Sequence, residues 1–119
     1  MSAVGLNLVV IRCADLERSS LFYHLLGLSF VKHRHGQGPE HLSAEVGGVV
    51  FELYPQTAEG STTRGVRLGF EVLSLENLIT ALDAWPGSVI SPPQDSLWGR
   101  RAVITDPDGH RVELVEALA

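Results

Sequence analysis

The sequence predicts an α+β fold of two βαβββ modules, related by pseudo-twofold symmetry and forming a curved mixed sheet around a cup. Three observations predict it. The same β-α-β-β-β order of signals occurs twice. A two-residue glycine turn closes a hairpin in the first half. The strands alternate so that one face of each sheet is apolar and the other carries most of the polar groups.

The elements follow in order. Leu6 to Cys13 is an apolar run of strand length. Asp15 is a helix N-cap, and Leu16 to Leu26 reads as a helix that Gly27 stops in the left-handed C′ position. Its apolar positions are Leu16, Tyr23, Phe22, Leu25 and Leu26. Leu28 to Lys32 is a second strand, and His41 to Val46 pairs with Val49 to Tyr54 across Gly47-Gly48. The second half begins with a strand from Val66 to Val72. Ser74 caps a helix from Leu75 to about Ala84, which Pro86-Gly87 breaks. Ser88 to Ile90 reads as a short strand and Pro92-Pro93 as a loop. Arg101 to Thr105 and Arg111 to Glu116 then pair across the turn residues Asp106-Pro107-Asp108-Gly109. The whole chain, 1–119, is read as one domain, with a first module over about 4–55, a linker over about 56–64 and a second module over about 65–119.

Composition sets the outer limits. Hydrophobic residues make up 45% and charged residues 19%, which suits a globular domain rather than a disordered chain. A formal net charge of −5 repels phosphate backbones and argues against nucleic acid as a partner. Cys13 is the single cysteine, so no internal disulfide forms, and its apolar surroundings suggest a buried, inert thiol. Leu6 to Ile11 is too short for a signal-peptide core and ends at Arg12. No run approaches the roughly 20 apolar residues that span a bilayer. The expectation is a cytoplasmic protein with no membrane partner.

The alternation points to a site. Across a two-residue turn Val46 faces Val49, Ala44 faces Phe51 and Leu42 faces Leu53, which makes an apolar, helix-packed face. The other face carries His41 opposite Tyr54, Ser43 opposite Glu52, and Glu45 opposite Val50. In the second half Val66, Leu68, Phe70 and Val72 face the core, while Arg67, Gly69 and Glu71 face away. Val112 and Leu114 are core residues, and Arg111 and Glu113 face away. Glu52 and Glu113 thus occupy the same strand of each module, one repeat apart. The competing reading is an open sheet face whose charges simply stay hydrated. His33 and His35 alternate along a segment that Gly36, Gly38 and Pro39 turn into a loop. His110 follows the turn glycine and reads as solvated. Trp98 leads into the seventh strand, where it either stacks on a ligand or anchors the loop, and Trp85 reads as core or interface.

Several stretches carry a family resemblance. Asp15-Leu16-Glu17-Arg18-Ser19 with Phe22-Tyr23 and Leu26-Gly27-Leu28, Val50-Phe51-Glu52-Leu53, and Trp98-Gly99-Arg100-Arg101 followed by Asp106-Pro107-Asp108-Gly109-His110-Arg111-Val112-Glu113-Leu114 resemble the vicinal-oxygen-chelate superfamily. That superfamily contains glyoxalases, bleomycin-resistance proteins and extradiol dioxygenases. The resemblance implies two βαβββ modules around a small-molecule cup. It also implies a divalent metal held by four side chains, one from each of two strands per module, as in the family's enzymes. Those positions here are Leu8, Glu52, Arg67 and Glu113. Both carboxylates are kept, but Leu8 cannot ligate and Arg67 has no lone pair to offer.

The leading expectation is therefore a small-molecule-binding protein with a degenerate metal site and no required cofactor, sequestering a drug or metabolite. Its contacts would come from Arg67, Glu52, Glu113, Trp98, Tyr54 and His41. The competing reading of Arg67 is an internal salt bridge with Glu52 or Glu113, with a ligand-carboxylate clamp on top of it. The alternative is a divalent-metal-dependent lyase, isomerase or dioxygenase with a rearranged ligand set of His41, Glu52 and Glu113. Metal-free acid–base catalysis by the carboxylates is a third reading. The resemblance also implies a homodimer, with the cup built within one chain or across two.

Overall fold

A computed structural model describes residues 3–57, 59–60 and 62–117. The chain divides into two compact units, Met1–Thr62 and Thr63–Ala119. Each is a four-stranded mixed sheet with a helix, so the α+β class and the repeated βαβββ module both hold, without a closed barrel.

In the first unit the elements are β1 (Leu8–Cys13), α1 (Leu16–His24), β2 (Val31–His33), β3 (His41–Val46) and β4 (Val49–Pro55). Sheet order is β1-β4-β3-β2, with β1 parallel to β4 and the other pairs antiparallel. The Asp15 side chain accepts from the Arg18 amide at 3.1 Å and caps α1. The helix is shorter than its sequence pattern and ends at His24. Gly27, at φ 101°, closes the turn, with its amide on His24 and the Leu28 amide on Tyr23. Gly47 and Gly48 both have positive φ, 55° and 84°, as a primed two-residue hairpin turn requires. This fixes the expected register: Val46↔Val49, Ala44↔Phe51 and Leu42↔Leu53 pair as predicted. Leu42, Ala44, Phe51 and Leu53 are buried, and Phe51 meets Tyr23 of α1 edge to face at 5.2 Å.

The second unit contains β5 (Arg67–Val72), α2 (Leu75–Ala81) running into a 3-10 turn at Leu82–Ala84, β6 (Val89–Ser96), β7 (Gly99–Thr105) and β8 (Arg111–Glu116). Order β5-β8-β7-β6 repeats that of the first unit, again with the first pair parallel. Ser74 caps α2 by accepting from the Asn77 amide. Leu75, Leu78 and Leu82 pack against a sheet face made by Ala102, Ile104, Val112 and Leu114, all buried.

Besides α1, two strands depart from expectation: β2, read over Leu28 to Lys32, occupies Val31–His33, and β6 is longer than its reading. Strand β6 does not stop at Ile90 but runs through Pro92-Pro93. It lies at the sheet edge, where a missing N–H need not break a ladder. Register shifts between Val89 and Ser91 and between Ser91 and Gln94 absorb the prolines. Cys13 is fully buried. Among the described residues no helix is long and apolar enough to cross a membrane.

Leu53 has no exposed surface and lies on the helix-covered face, whereas Leu21 on α1 is 63% exposed. Leu53→Ala should lower unfolding free energy by about 2–5 kcal/mol in urea titrations. Leu21→Ala should change it by less than about 0.5 kcal/mol.

Candidate functional site

The open face of the first sheet is a set of cross-strand rows. One row runs over all four strands: Arg12 pairs with Tyr54, and His33 pairs with His41. The His41 ring lies on Tyr54, 4.3 Å between centroids and 8° from parallel, and the Arg12 guanidinium sits 5.3 Å from the Tyr54 ring centre. The next row holds Glu52 opposite Ser43, whose hydroxyl donates to Glu52 Oε2 at 2.7 Å. His41 Nε2 is 3.7 Å from the same oxygen, and its Nδ1 lies 3.3 Å from the Pro39 carbonyl. His41 is buried under these neighbours although its alternation places it on the open face. Predicted residues His41, Glu52 and Tyr54 thus lie together.

The second unit places Arg67, Glu113 and Trp98 together in the same way. Arg67 Nη2 meets Glu113 Oε2 at 2.5 Å, and Arg101 binds the other carboxylate oxygen. Two guanidinium groups thus share one carboxylate. Trp98 lies in the two-residue connection between β6 and β7, is 69% exposed, and has the Arg101 guanidinium 5.9 Å from its ring centre. A cleft of about 620 Å³ is lined by Arg67, Phe70, Glu71, Trp98, Glu113 and Val115, among others. A smaller one of about 260 Å³ adjoins it through Arg67 and Glu113 and reaches Gln94, Ser96 and Arg101.

The four positions that hold a metal in the family's enzymes do not fit one here. Leu8 offers no donor atom and is 49% exposed, while Arg67 spends its guanidinium on Glu113. Among the described residues, one group of three candidate ligands has its atoms within 4.8 Å of one another: Asp106, Asp108 and His110. The ligand atoms of Asp106 and His110 are already engaged. Asp106 Oδ1 accepts from the amides of Asp108 and His110, and Oδ2 lies 2.8 Å from His110 Nδ1. His110 Nε2 is 2.6 Å from the Thr63 hydroxyl. An ion would have to break these bonds, so the arrangement serves better as a brace that fastens the end of the expected linker to the last hairpin.

This corrects the expectation that His110 is solvated: it is 1% exposed. The sequence did carry the signal. His110 is in phase with Val112 and Leu114, and Asp106 with Ala102 and Ile104, so both fall on the helix-covered side of their strands. A buried imidazole there needs a partner, and the carboxylate across the turn supplies it. Arg101 was missed for a related reason. Extending the alternation to β7 puts Arg101 and Val103 on the face of Glu113, opposite Ala102 and Ile104.

A repeated βαβββ unit, with a carboxylate at matching positions of each fourth strand, defines a class of paired-module proteins. The sequence profile of the Glyoxalase/Bleomycin resistance protein/Dioxygenase superfamily matches residues 5–114, and the chain belongs to that superfamily. An uncharacterized protein of Mycolicibacterium smegmatis is 29% identical over 110 residues, covering 92% of this chain and 91% of the relative. A glyoxylase/bleomycin resistance protein/dioxygenase domain from Frankia sp. EAN1pec superposes with a TM-score of 0.77 at 23% identity, covering 98% of this chain and 100% of its own. TnmS3, an antibiotic binding protein from Streptomyces sp. CB03234, superposes with a TM-score of 0.73 at 20% identity, covering 99% of both chains. At these identities the structural likeness speaks for the fold.

Asp106→Ala should cost about 2–3 kcal/mol in chemical denaturation, because it strands the His110 ring and two amides. Asp108→Ala, which removes a half-buried carboxylate, should cost clearly less.

Proposed function

We propose that the chain binds a small organic molecule and sequesters it without metal-dependent chemistry. The observation that carries this reading is the closure of Glu113 by Arg67 and Arg101 at a position where the family's enzymes hold a metal. The carboxylate that would ligate an ion is already held by two guanidinium groups, and with Glu71 on the same cleft the two arginines and two carboxylates balance. Arg67 is 65% exposed at the cleft, so its remaining donors can meet an anionic group. Trp98 offers a flat apolar face at the same cleft. The ligand class this favours is a planar molecule bearing a carboxylate or similar anion. The overall acidity of the chain argues weakly for a cationic ligand, so the preference for an anionic group rests on the exposed donors of Arg67 and not on net charge. Glu52, His41 and Tyr54 are the corresponding polar groups of the first module, and they are proposed as ligand contacts of that module. The antibiotic-binding relative TnmS3 makes an antibiotic a sensible first probe. Pairing into a homodimer is part of the same proposal, and light scattering on the purified chain measures it.

The rival is a metal-dependent lyase, isomerase or dioxygenase using His41, Glu52 and Glu113. It requires Glu113 to leave its two arginines, and it predicts turnover that stops on exhaustive chelation.

Calorimetric screening of aromatic carboxylates and antibiotics against the native chain should yield a micromolar ligand. Arg67→Ala and Trp98→Ala should each weaken it by about tenfold, or about 1.4 kcal/mol. Binding that survives both substitutions unchanged would remove the cleft from consideration.

A further inference from the structure

The first unit contains a cluster of which the sequestration reading uses only His41 and Glu52. His33 and His41 are direct cross-strand partners on β2 and β3, and His35 follows two residues after His33. Ring centres are 5.2 Å apart for His35 and His41, 5.8 Å for His33 and His41, and 6.1 Å for His33 and His35. Three imidazoles thus share one patch.

We propose that His33, His35 and His41 form a binding site for one borderline-soft divalent transition ion, of the zinc or nickel class. The spacing is suitable. A tetrahedral ion with nitrogen ligands at about 2.0–2.1 Å places two imidazole centres about 5 Å apart. The observed separations exceed this by about an ångström or less, but the His33 ring lies 7° from parallel to His35 and 29° from His41, so the exposed rings face their neighbours and must turn their nitrogens toward the ion. His33 and His35 are exposed and close the difference by rotating about their side-chain bonds. His41 is the fixed member. Its ring is held on Tyr54, and its Nδ1–H donates a hydrogen bond to the Pro39 carbonyl, which leaves Nε2 with the lone pair. Glu52 Oε2, 3.7 Å from Nε2, supplies a negative charge beside the ligating atom. It serves either as a fourth ligand or as the carboxylate that offsets the ion's charge. Imidazole donors select zinc, nickel or copper over magnesium and calcium, which prefer oxygen. The set differs from the family positions Leu8, Glu52, Arg67 and Glu113 in needing neither Arg67 nor Glu113, so it stands whether or not the second unit binds an organic ligand.

The test is titration of the full chain, without an added histidine tag, with Zn²⁺ by calorimetry and with Co²⁺ by visible absorption. About one ion per chain and a tetrahedral Co²⁺ band are expected. His33→Ala and His35→Ala, both at exposed positions, should each weaken uptake by about tenfold or more while far-ultraviolet dichroism stays unchanged. Asp108→Ala should leave uptake intact. Failure to take up either ion at millimolar concentration overturns the proposal, as does uptake that persists in the doubly substituted His33→Ala/His35→Ala chain. Uptake abolished by Asp108→Ala would instead assign the ion to the last hairpin.

Discussion

A βαβββ module has one helix and two sheet faces. The helix can cover only one of them, and it covers the face whose side chains are Leu42, Ala44, Phe51 and Leu53 in the first unit, and Ala102, Ile104, Val112 and Leu114 in the second. Everything else follows from that allocation. The period of two along each strand sends alternate residues to the uncovered side, so the open faces collect His41, Glu52 and Tyr54 in one unit and Arg67, Arg101 and Glu113 in the other. The core and the candidate sites are the two halves of a single alternating pattern.

The two open faces are variations on one arrangement. Each has a carboxylate on its fourth strand, Glu52 or Glu113, and a nitrogen-bearing side chain one residue row further along the neighbouring strand, His41 or Arg101. The difference is chemical. An imidazole can offer a lone pair to an ion, whereas a guanidinium cannot. Arg67 reinforces the contrast by closing on Glu113 from β5, whereas Leu8 at the matching position of β1 leaves Glu52 to Ser43 and His41.

Much of this was legible in the sequence. Gly47-Gly48 specified the hairpin register residue by residue, because only a two-residue turn segregates the apolar and polar sets cleanly. The helix caps at Asp15 and Ser74 were readable because a short oxygen-bearing side chain just ahead of an apolar period has one common use. The failures have physical causes. Pro92-Pro93 looks like a loop because proline removes a donor, but an edge strand has donors to spare. His110 looked solvated because it follows a turn, yet its phase with Val112 and Leu114 outweighed its position in the loop. The Arg101 contact with Glu113 depends on which long side chains reach across a row, which alternation alone does not specify.

The connections from the outermost strands are where the two modules differ in length. Between β2 and β3 the chain takes residues 34–40, with His35 and three of the loop-forming residues Gly36, Gly38 and Pro39, whereas between β6 and β7 it takes only Leu97 and Trp98. Lengthening such a connection costs little, since closure entropy rises only with the logarithm of loop length. The covered faces, by contrast, tolerate little change in volume. Descent from a duplicated ancestor would therefore leave its record unevenly, conservative where helix meets sheet and divergent along the rims. Recognition of new chemistry can be acquired there by trading a single ring or loop, while the inherited frame beneath stays as it was.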